Sequence, residues 1–220
     1  MQLNPIYYNE QHIAFADNVR RFVQKEMAPF VNEWDEAETF PRELYKKAAE
    51  IGLLGLGFSE EYGGIPDADP FYSLLAGIEM AKAGSGGVHI SLMVYTIGAP
   101  PIQHFGSEEL KARVLPGIIS GEKISVLAIT EPGGGSDVAA LQTKAVRDGD
   151  YYIVSGEKTF ITSGIRADYY TVAVRTDPTK TGAEGISMLL IDAHSEGITK
   201  TPLKKMGWWA SDTEIGRAHV

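Results

Sequence analysis

The sequence predicts a chain in two parts: an all-α helical bundle over residues 1–121, then an antiparallel β-barrel or sandwich over residues 122–213. Three observations carry that reading. Up to Gly121, apolar residues recur at three- and four-residue spacing between helix cap signals. Beyond it the spacing changes to two, or to short continuous apolar runs broken every few residues by turn signals. No helical pattern of useful length separates those runs, which excludes a βαβ sheet.

In the first part, Ile13, Ala16, Val19, Val23 and Met27 share one helical face over residues 9–27, with Asn9 as N-cap and Pro29 just past the end. A second helix starts at Pro41, carries Leu44, Ala48 and Ile51, and meets Gly52 at the C′ position. Asp69-Pro70 opens a third, with Leu74, Leu75 and Ile78 inward, ending near Gly84. Residues 88–97 read as a fourth, almost wholly apolar and stopped by Gly98 and Pro100-Pro101. Ser107, followed by Glu108 and Glu109, caps a fifth that carries Leu110, Val114 and Leu115.

In the second part, residues 124–129 form a short apolar strand. Residues 144–147 and 151–154 flank Asp148-Gly149, a hairpin signal. A turn at Ser155-Gly156 leads into a strand over 158–162, and strands follow over 169–175, 185–192 and 198–204.

Composition narrows the chemistry. With 44% hydrophobic and 22% charged residues, 220 residues can bury a core, so intrinsic disorder is excluded. A formal net charge of -9 lacks the field that draws proteins onto phosphate backbones, so nucleic acid is not an expected partner. Cysteine is absent, which removes disulfides, thiolate nucleophiles and iron–sulfur clusters. His12, His89, His104, His194 and His219 show no metal-ligand spacing. No window reaches the roughly 18 apolar residues of a membrane span. The opening Met1-Gln2-Leu3-Asn4-Pro5 has neither a cationic nor an apolar targeting region, so a cytoplasmic location is expected.

Two stretches carry candidate chemistry. In Ala128-Ile129-Thr130-Glu131-Pro132-Gly133-Gly134-Gly135-Ser136-Asp137 a strand runs into three glycines and a hydroxyl. Backbone can come close to a ligand there, its N–H groups forming a nest for a phosphate or pyrophosphate and Ser136 adding a donor. Asp137 would repel phosphate and is assigned to turn capping. A dinucleotide fingerprint is excluded, because Val138 stands where its last glycine belongs and a hairpin follows. The second stretch is Lys158-Thr159-Phe160-Ile161-Thr162-Ser163-Gly164. A flat ring system needs an aromatic or apolar plane and hydrogen-bonding edges, which Phe160, Thr130 and Thr162 could supply.

With these stretches, and with Lys205-Met206-Gly207-Trp208-Trp209-Ala210-Ser211-Asp212-Thr213, the sequence resembles the acyl-CoA dehydrogenase family. Glu60-Glu61-Tyr62-Gly63-Gly64 and His104-Phe105-Gly106-Ser107 add family-like punctuation. The resemblance implies a helical N-terminal domain, a β middle domain and a further C-terminal helical bundle, with FAD held at their junction. It places Leu127, Ala128, Ile129, Thr130, Gly134, Gly135 and Ser136 along the flavin, with Ser136 also toward the CoA thioester. Phe160, beside Ile161, stands where the family usually has a tryptophan next to the ring, and Thr162 would lie near N5. The implied reaction is α,β-dehydrogenation of an acyl-CoA to a trans-2-enoyl-CoA, a step of fatty acid β-oxidation. In it a carboxylate base takes the α-proton and the β-hydrogen leaves as hydride. An electron-transfer flavoprotein as acceptor and a homotetrameric full-length protein are implied in the same way. Residues 90–97 are a candidate for part of the acyl tunnel.

The resemblance ends at Thr213, where family members continue into the domain that supplies the base. No residue here is assigned that role: Glu131 belongs to the flavin motif, and Glu60 and Glu61 cap or face solvent. Residues 214–220 depart from the family's pattern, and Ile215-Gly216-Arg217-Ala218-His219-Val220 is one translation frame of a common short-read sequencing adapter, so this tail is expected to be artefactual. FAD retention by the chain alone is expected to be weak or absent. The competing readings are a non-catalytic flavin- or acyl-CoA-binding module and an acyl-CoA oxidase-like flavoenzyme. Trp208 and Trp209 are expected between domains or subunits.

Overall fold

The structure, a computed structural model, describes residues 6–219. The five opening residues, on which the absence of a targeting segment was argued, lie outside the described residues, as does Val220. The described residues form two compact units, one of residues 6–93, 107–122 and 205–211, the other of residues 94–106, 123–204 and 212–219.

The first unit is helical. Helix α1 spans Glu10–Phe22 and runs on into a wider turn over Val23–Met27. Its N-terminus is closed reciprocally: the Asn9 side chain accepts from the His12 amide at 2.9 Å, and the His12 ring accepts from the Asn9 amide at 3.1 Å. Four residues of the predicted face, Ala16, Val19, Val23 and Met27, are buried, while Ile13, in the first turn, is exposed. Helix α2, Val31–Glu36, was not anticipated, because six residues after Pro29 hold too few turns to show a period; Val31 and Trp34 bury it. Helix α3 spans Glu43–Glu50, and Gly52 takes a left-handed φ of 77° after it, as a C′ residue should. Helix α4, Pro70–Ala81, is capped by Asp69, which accepts from the Phe71 amide.

The fourth predicted helix is two. Helix α5, Gly86–Leu92, belongs to the first unit, and α6, Tyr95–Gly98, to the second. The break is tertiary in origin. Gly98 lies so close to the following strand that a Cβ there would sit 2.6 Å from the Ser125 carbonyl oxygen, and Thr171 Oγ1 donates to the Gly98 carbonyl at 2.7 Å. Pro100 and Pro101 do not merely stop a helix; they fill the first turn of α7, Pro100–Phe105, where an imide nitrogen costs no hydrogen bond. Helix α8, Glu108–Ile119, is capped as expected by Ser107, which accepts from the Leu110 amide.

The second unit holds a curled sheet of β1 (Ser125–Ala128), β2 (Lys144–Asp148), β3 (Tyr151–Thr162), β4 (Tyr169–Arg175), β5 (Ile186–Asp192), β6 (Ile198–Pro202) and β7 (Thr213–His219). The order is β1-β4-β2-β3-β7-β6, with β5 on β4. The sheet is mixed, which corrects the expectation of a purely antiparallel one. β1 runs parallel to β4, and the β2–β3 hairpin serves as the long crossover that parallel neighbours require. The predicted turn at Ser155-Gly156 is absent, and β3 is one strand of twelve residues. Gly156 is there for contact, since a Cβ would lie 2.7 Å from the Thr143 Cα. Residues 214–219 of the tail read as atypical lie in β7, between β3 and β6, with Glu214 buried and accepting from the Tyr170 hydroxyl.

Candidate functional site

Strand alternation decides which predicted residues meet. Leu127 and Ile129 share one face at the end of β1, and Phe160 and Thr162 share one face at the end of β3. Together with Thr130 and Gly135 they line a single cleft of about 300 Å³. Ala128 and Ile161, one residue out of phase, point the other way; both are buried and line a separate small cavity of the sheet unit. Gly134 and Ser136 lie exposed on the loop after β1. Val94 and Ile97 of the α6 region complete the cleft, with Val138 and Thr159. Val94 and Ile97 fall in the apolar run proposed for an acyl tunnel. Nothing in the sequence marks Val138, which follows the motif as an ordinary apolar residue.

Thr159 joins the cleft because of a β-bulge. The β3–β7 register shifts between Lys158 and Ile161, so Thr159 and Phe160, adjacent in sequence, both face the cleft. Phe160 has a φ of 59° and is 64% exposed. A left-handed backbone costs a non-glycine residue about 1–2 kcal/mol, and so little burial offers Phe160 small compensation. Such strain is characteristic of positions held for a ligand.

The two stretches are fastened together at several points. The Thr159 amide donates to the Thr130 carbonyl at 2.8 Å. Lys158 Nζ donates to the Ile129 carbonyl and to Glu131 Oε1, both at 2.9 Å. Glu131 also accepts from the amides of Gln142 and Thr143, at 2.6 and 2.8 Å. Burial opposes its charge, but hydrogen bonds from Thr143, Gln142 and Lys158 prevail and hold its carboxyl at about 2. Burial pushes Lys158 down, opposed by Glu131. Glu131 is therefore a structural anchor whose two oxygens are already committed as acceptors.

The glycine loop differs from the nest expected of it. Glu131 and Gly134 exchange backbone hydrogen bonds of 3.0 and 3.1 Å, closing a tight turn over Pro132 and Gly133 and committing the Gly134 amide. None of Gly133, Gly134 and Gly135 has a positive φ, so the alternating conformation of a nest is not formed. A Cβ at Gly133 or Gly134 would meet nothing within 4 Å. Neither backbone nor packing within the chain demands glycine at these two positions, which leaves room for something outside it. The Asp137 carboxylate makes no cap bond; its carbonyl accepts from Ala140 instead, a correction to the role assigned it.

Elsewhere, Glu60 and Glu61 face solvent as expected. Trp208 packs in its own unit, its indole so close to Gly86 that a Cβ there would lie 2.5 Å from Nε1, while keeping 60% exposure. Among the described residues no His, Asp or Glu cluster could hold a metal, and no helix is long and apolar enough to cross a membrane.

Family models match the chain in two consecutive blocks: the acyl-CoA dehydrogenase N-terminal domain over residues 9–122 and the acyl-CoA dehydrogenase middle domain over residues 126–215. The chain belongs to the acyl-CoA dehydrogenase family. Among its relatives, the mitochondrial isobutyryl-CoA dehydrogenase of Dictyostelium discoideum is 38% identical over 204 residues, covering 90% of this chain and 47% of that protein. A probable acyl-CoA dehydrogenase of Mycobacterium abscessus superposes with a TM-score of 0.91 at 43% identity, over 96% of this chain and 56% of that one. An acyl-CoA dehydrogenase of Bacillus anthracis, solved as a complex with FAD, superposes with a TM-score of 0.86 at 30% identity, over 98% of this chain and 37% of that one. The chain thus spans about half the length of the acyl-CoA dehydrogenases it matches, or less. Membership confirms the resemblance read from the motifs and the order of a helical segment before a β segment.

Proposed function

We propose that this chain is the N-terminal helical domain (1–121) and flavin-binding middle domain (122–213) of an FAD-dependent acyl-CoA dehydrogenase, which converts an acyl-CoA thioester to its trans-2-enoyl-CoA. The observation that carries the reading is the meeting of the Thr130 and Thr162 stretches in one cleft with a donor left over. The Thr130 amide makes no hydrogen bond among the described residues, and Thr130 is one of the residues that line that cleft. A flavin's pyrimidine edge offers acceptors of the kind such an amide lacks. The FAD-bound relative supports the same cofactor.

FAD, when bound, supplies the hydride acceptor for the β-hydrogen of the acyl chain. In this arrangement Ile129 and Thr130 hold the pyrimidine edge through backbone groups, and Thr162 offers a hydroxyl at the redox edge. Phe160 covers the ring with an aromatic plane in place of an indole, and Gly133 and Gly134 leave space for the diphosphate, with Ser136 as a further donor. Val94 and Ile97 keep the acyl side dry, which strengthens hydrogen bonds to a thioester carbonyl as charge develops on it. No acidic or basic side chain lines the cleft, so the carboxylate base is assigned to the part of the relatives' length that this chain does not span. The chain alone is accordingly inactive toward acyl-CoA.

Titration of the 220-residue chain with FAD, followed by flavin fluorescence, tests the cleft. A weak but saturable complex that disappears in Gly134→Val is the expected result. FAD fluorescence unchanged at every chain concentration would overturn the assignment.

A further inference from the structure

Lys158 is an unusual residue to find inside a small β unit. Its side chain is 6% exposed, yet its ammonium is placed with two acceptors, Glu131 Oε1 and the Ile129 carbonyl. Lysine is rarely buried to this degree without a specific partner, and its solvation here depends on those two groups. The second acceptor matters more than the first. The Ile129 carbonyl and the Thr130 amide belong to one peptide unit, which is planar and trans, so the C=O and N–H point in opposite directions. Lys158 lines the small cavity, whereas Thr130 lines the cleft. The carbonyl therefore points toward the Lys158 ammonium, and the amide of Thr130, a cleft residue, points away from it. That amide also has no hydrogen-bond partner among the described residues.

A cation hydrogen-bonded to a carbonyl draws density through the amide and makes its N–H a stronger donor; such polarisation along a chain of hydrogen bonds is greatest where the surroundings exclude water. We infer that Lys158 is a positioning residue that acts through the 129–130 peptide, making the Thr130 amide a charge-assisted donor toward an electron-rich acceptor in the cleft. The acceptor class is the pyrimidine edge of a flavin or a heteroaromatic of the same donor–acceptor pattern, and this clause rests on the functional reading above. Glu131 has a second part in the device. As a counter-ion it keeps Lys158 charged in a buried place while drawing off part of its field, so the two residues affect the Thr130 amide with opposite sign.

The opposite signs separate this proposal from a structural role, in which breaking the pair from either side loosens the same loop. The base-catalysed exchange of an amide passes through an anion whose charge sits on the carbonyl oxygen, so a cation at that oxygen accelerates it. Hydrogen exchange at Thr130, read by NMR in the 220-residue chain, should slow about threefold or more in Lys158→Met and quicken in Glu131→Gln, with the amide of Gly133 unchanged in both. Exchange at Thr130 that is equal or faster in Lys158→Met overturns the inference. If Lys158→Met does not fold, Glu131→Gln decides alone: a rise confined to Thr130 supports the inference, and no rise, or one shared with Gly133, overturns it. A parallel FAD titration should show affinity falling about tenfold in Lys158→Met, the scale of weakening one charge-assisted hydrogen bond. Wild-type chain that binds no FAD would overturn the functional reading, while the exchange comparison would still decide the role of Lys158.

Discussion

The Thr159 amide donates to the Thr130 carbonyl at 2.8 Å, so a residue on a β-bulge of β3 is tied to the loop just past β1. Around that bond the second unit assembles its cleft, and the Glu131–Lys158 pair beside it is nearly sealed from solvent, at 10% and 6% exposure.

That seal gives the chain an acid-sensitive element. Glu131 is held at about 2, below the 4.5 of an unperturbed group, so the unfolded chain binds its proton first. The stability it contributes is complete above about pH 5 and is lost as pH falls toward 2. Urea denaturation at a series of pH values should show this fall in wild type and a smaller one in Glu131→Gln. Glu131→Ala, which leaves Lys158 buried beside an empty site, should cost about 3–5 kcal/mol at pH 7.

Phe160 offers the reverse case, a residue whose removal should help the fold. Its φ of 59° suits glycine and its ring is mostly exposed, so Phe160→Gly should leave stability equal or raise it by up to about 1 kcal/mol in thermal denaturation. The same change should weaken FAD binding, because the aromatic plane is lost. A Phe160→Gly chain that is destabilised by several kcal/mol would show that the ring is packed after all.

At Gly133 and Gly134 a methyl group meets nothing within the chain. Gly133→Ala and Gly134→Ala should therefore change stability by no more than about 0.5 kcal/mol. Any loss of FAD affinity in these variants would then report contact with the ligand. Equal affinity in both variants would remove the diphosphate from this loop.

Two other glycines test how α6 and α4 are built. A Cβ at Gly98 would collide with the Ser125 backbone, so Gly98→Ala should cost about 1–3 kcal/mol as α6 is pushed off β1. Gly77 lies inside α4 with nothing within 4 Å of a Cβ, so Gly77→Ala should stabilise by about 0.4–1 kcal/mol. Melting temperatures of the two variants should move in opposite directions.

Sequence alone settled much of this protein, because much of it is local. Caps such as Asn9, Asp69 and Ser107 act within one turn of their own helices, and the change from helical to two-residue spacing after Gly121 is visible in the order of residues. The motif residues 130–137, 158–164 and 205–213 carry the resemblance to the family. Tertiary structure decided the rest. Six residues of the predicted site converge because β1 and β3 end side by side, and Ala128 and Ile161 drop out because strand alternation turns them inward. The bulge that turns Thr159 and Phe160 to the same face, the parallel pairing of β1 with β4, and the break before α6 each depend on a partner far along the chain. So does the unsatisfied Thr130 amide. A hydrogen-bonding group is left over only after every distant strand has taken its own partners, and no local pattern of residues records that.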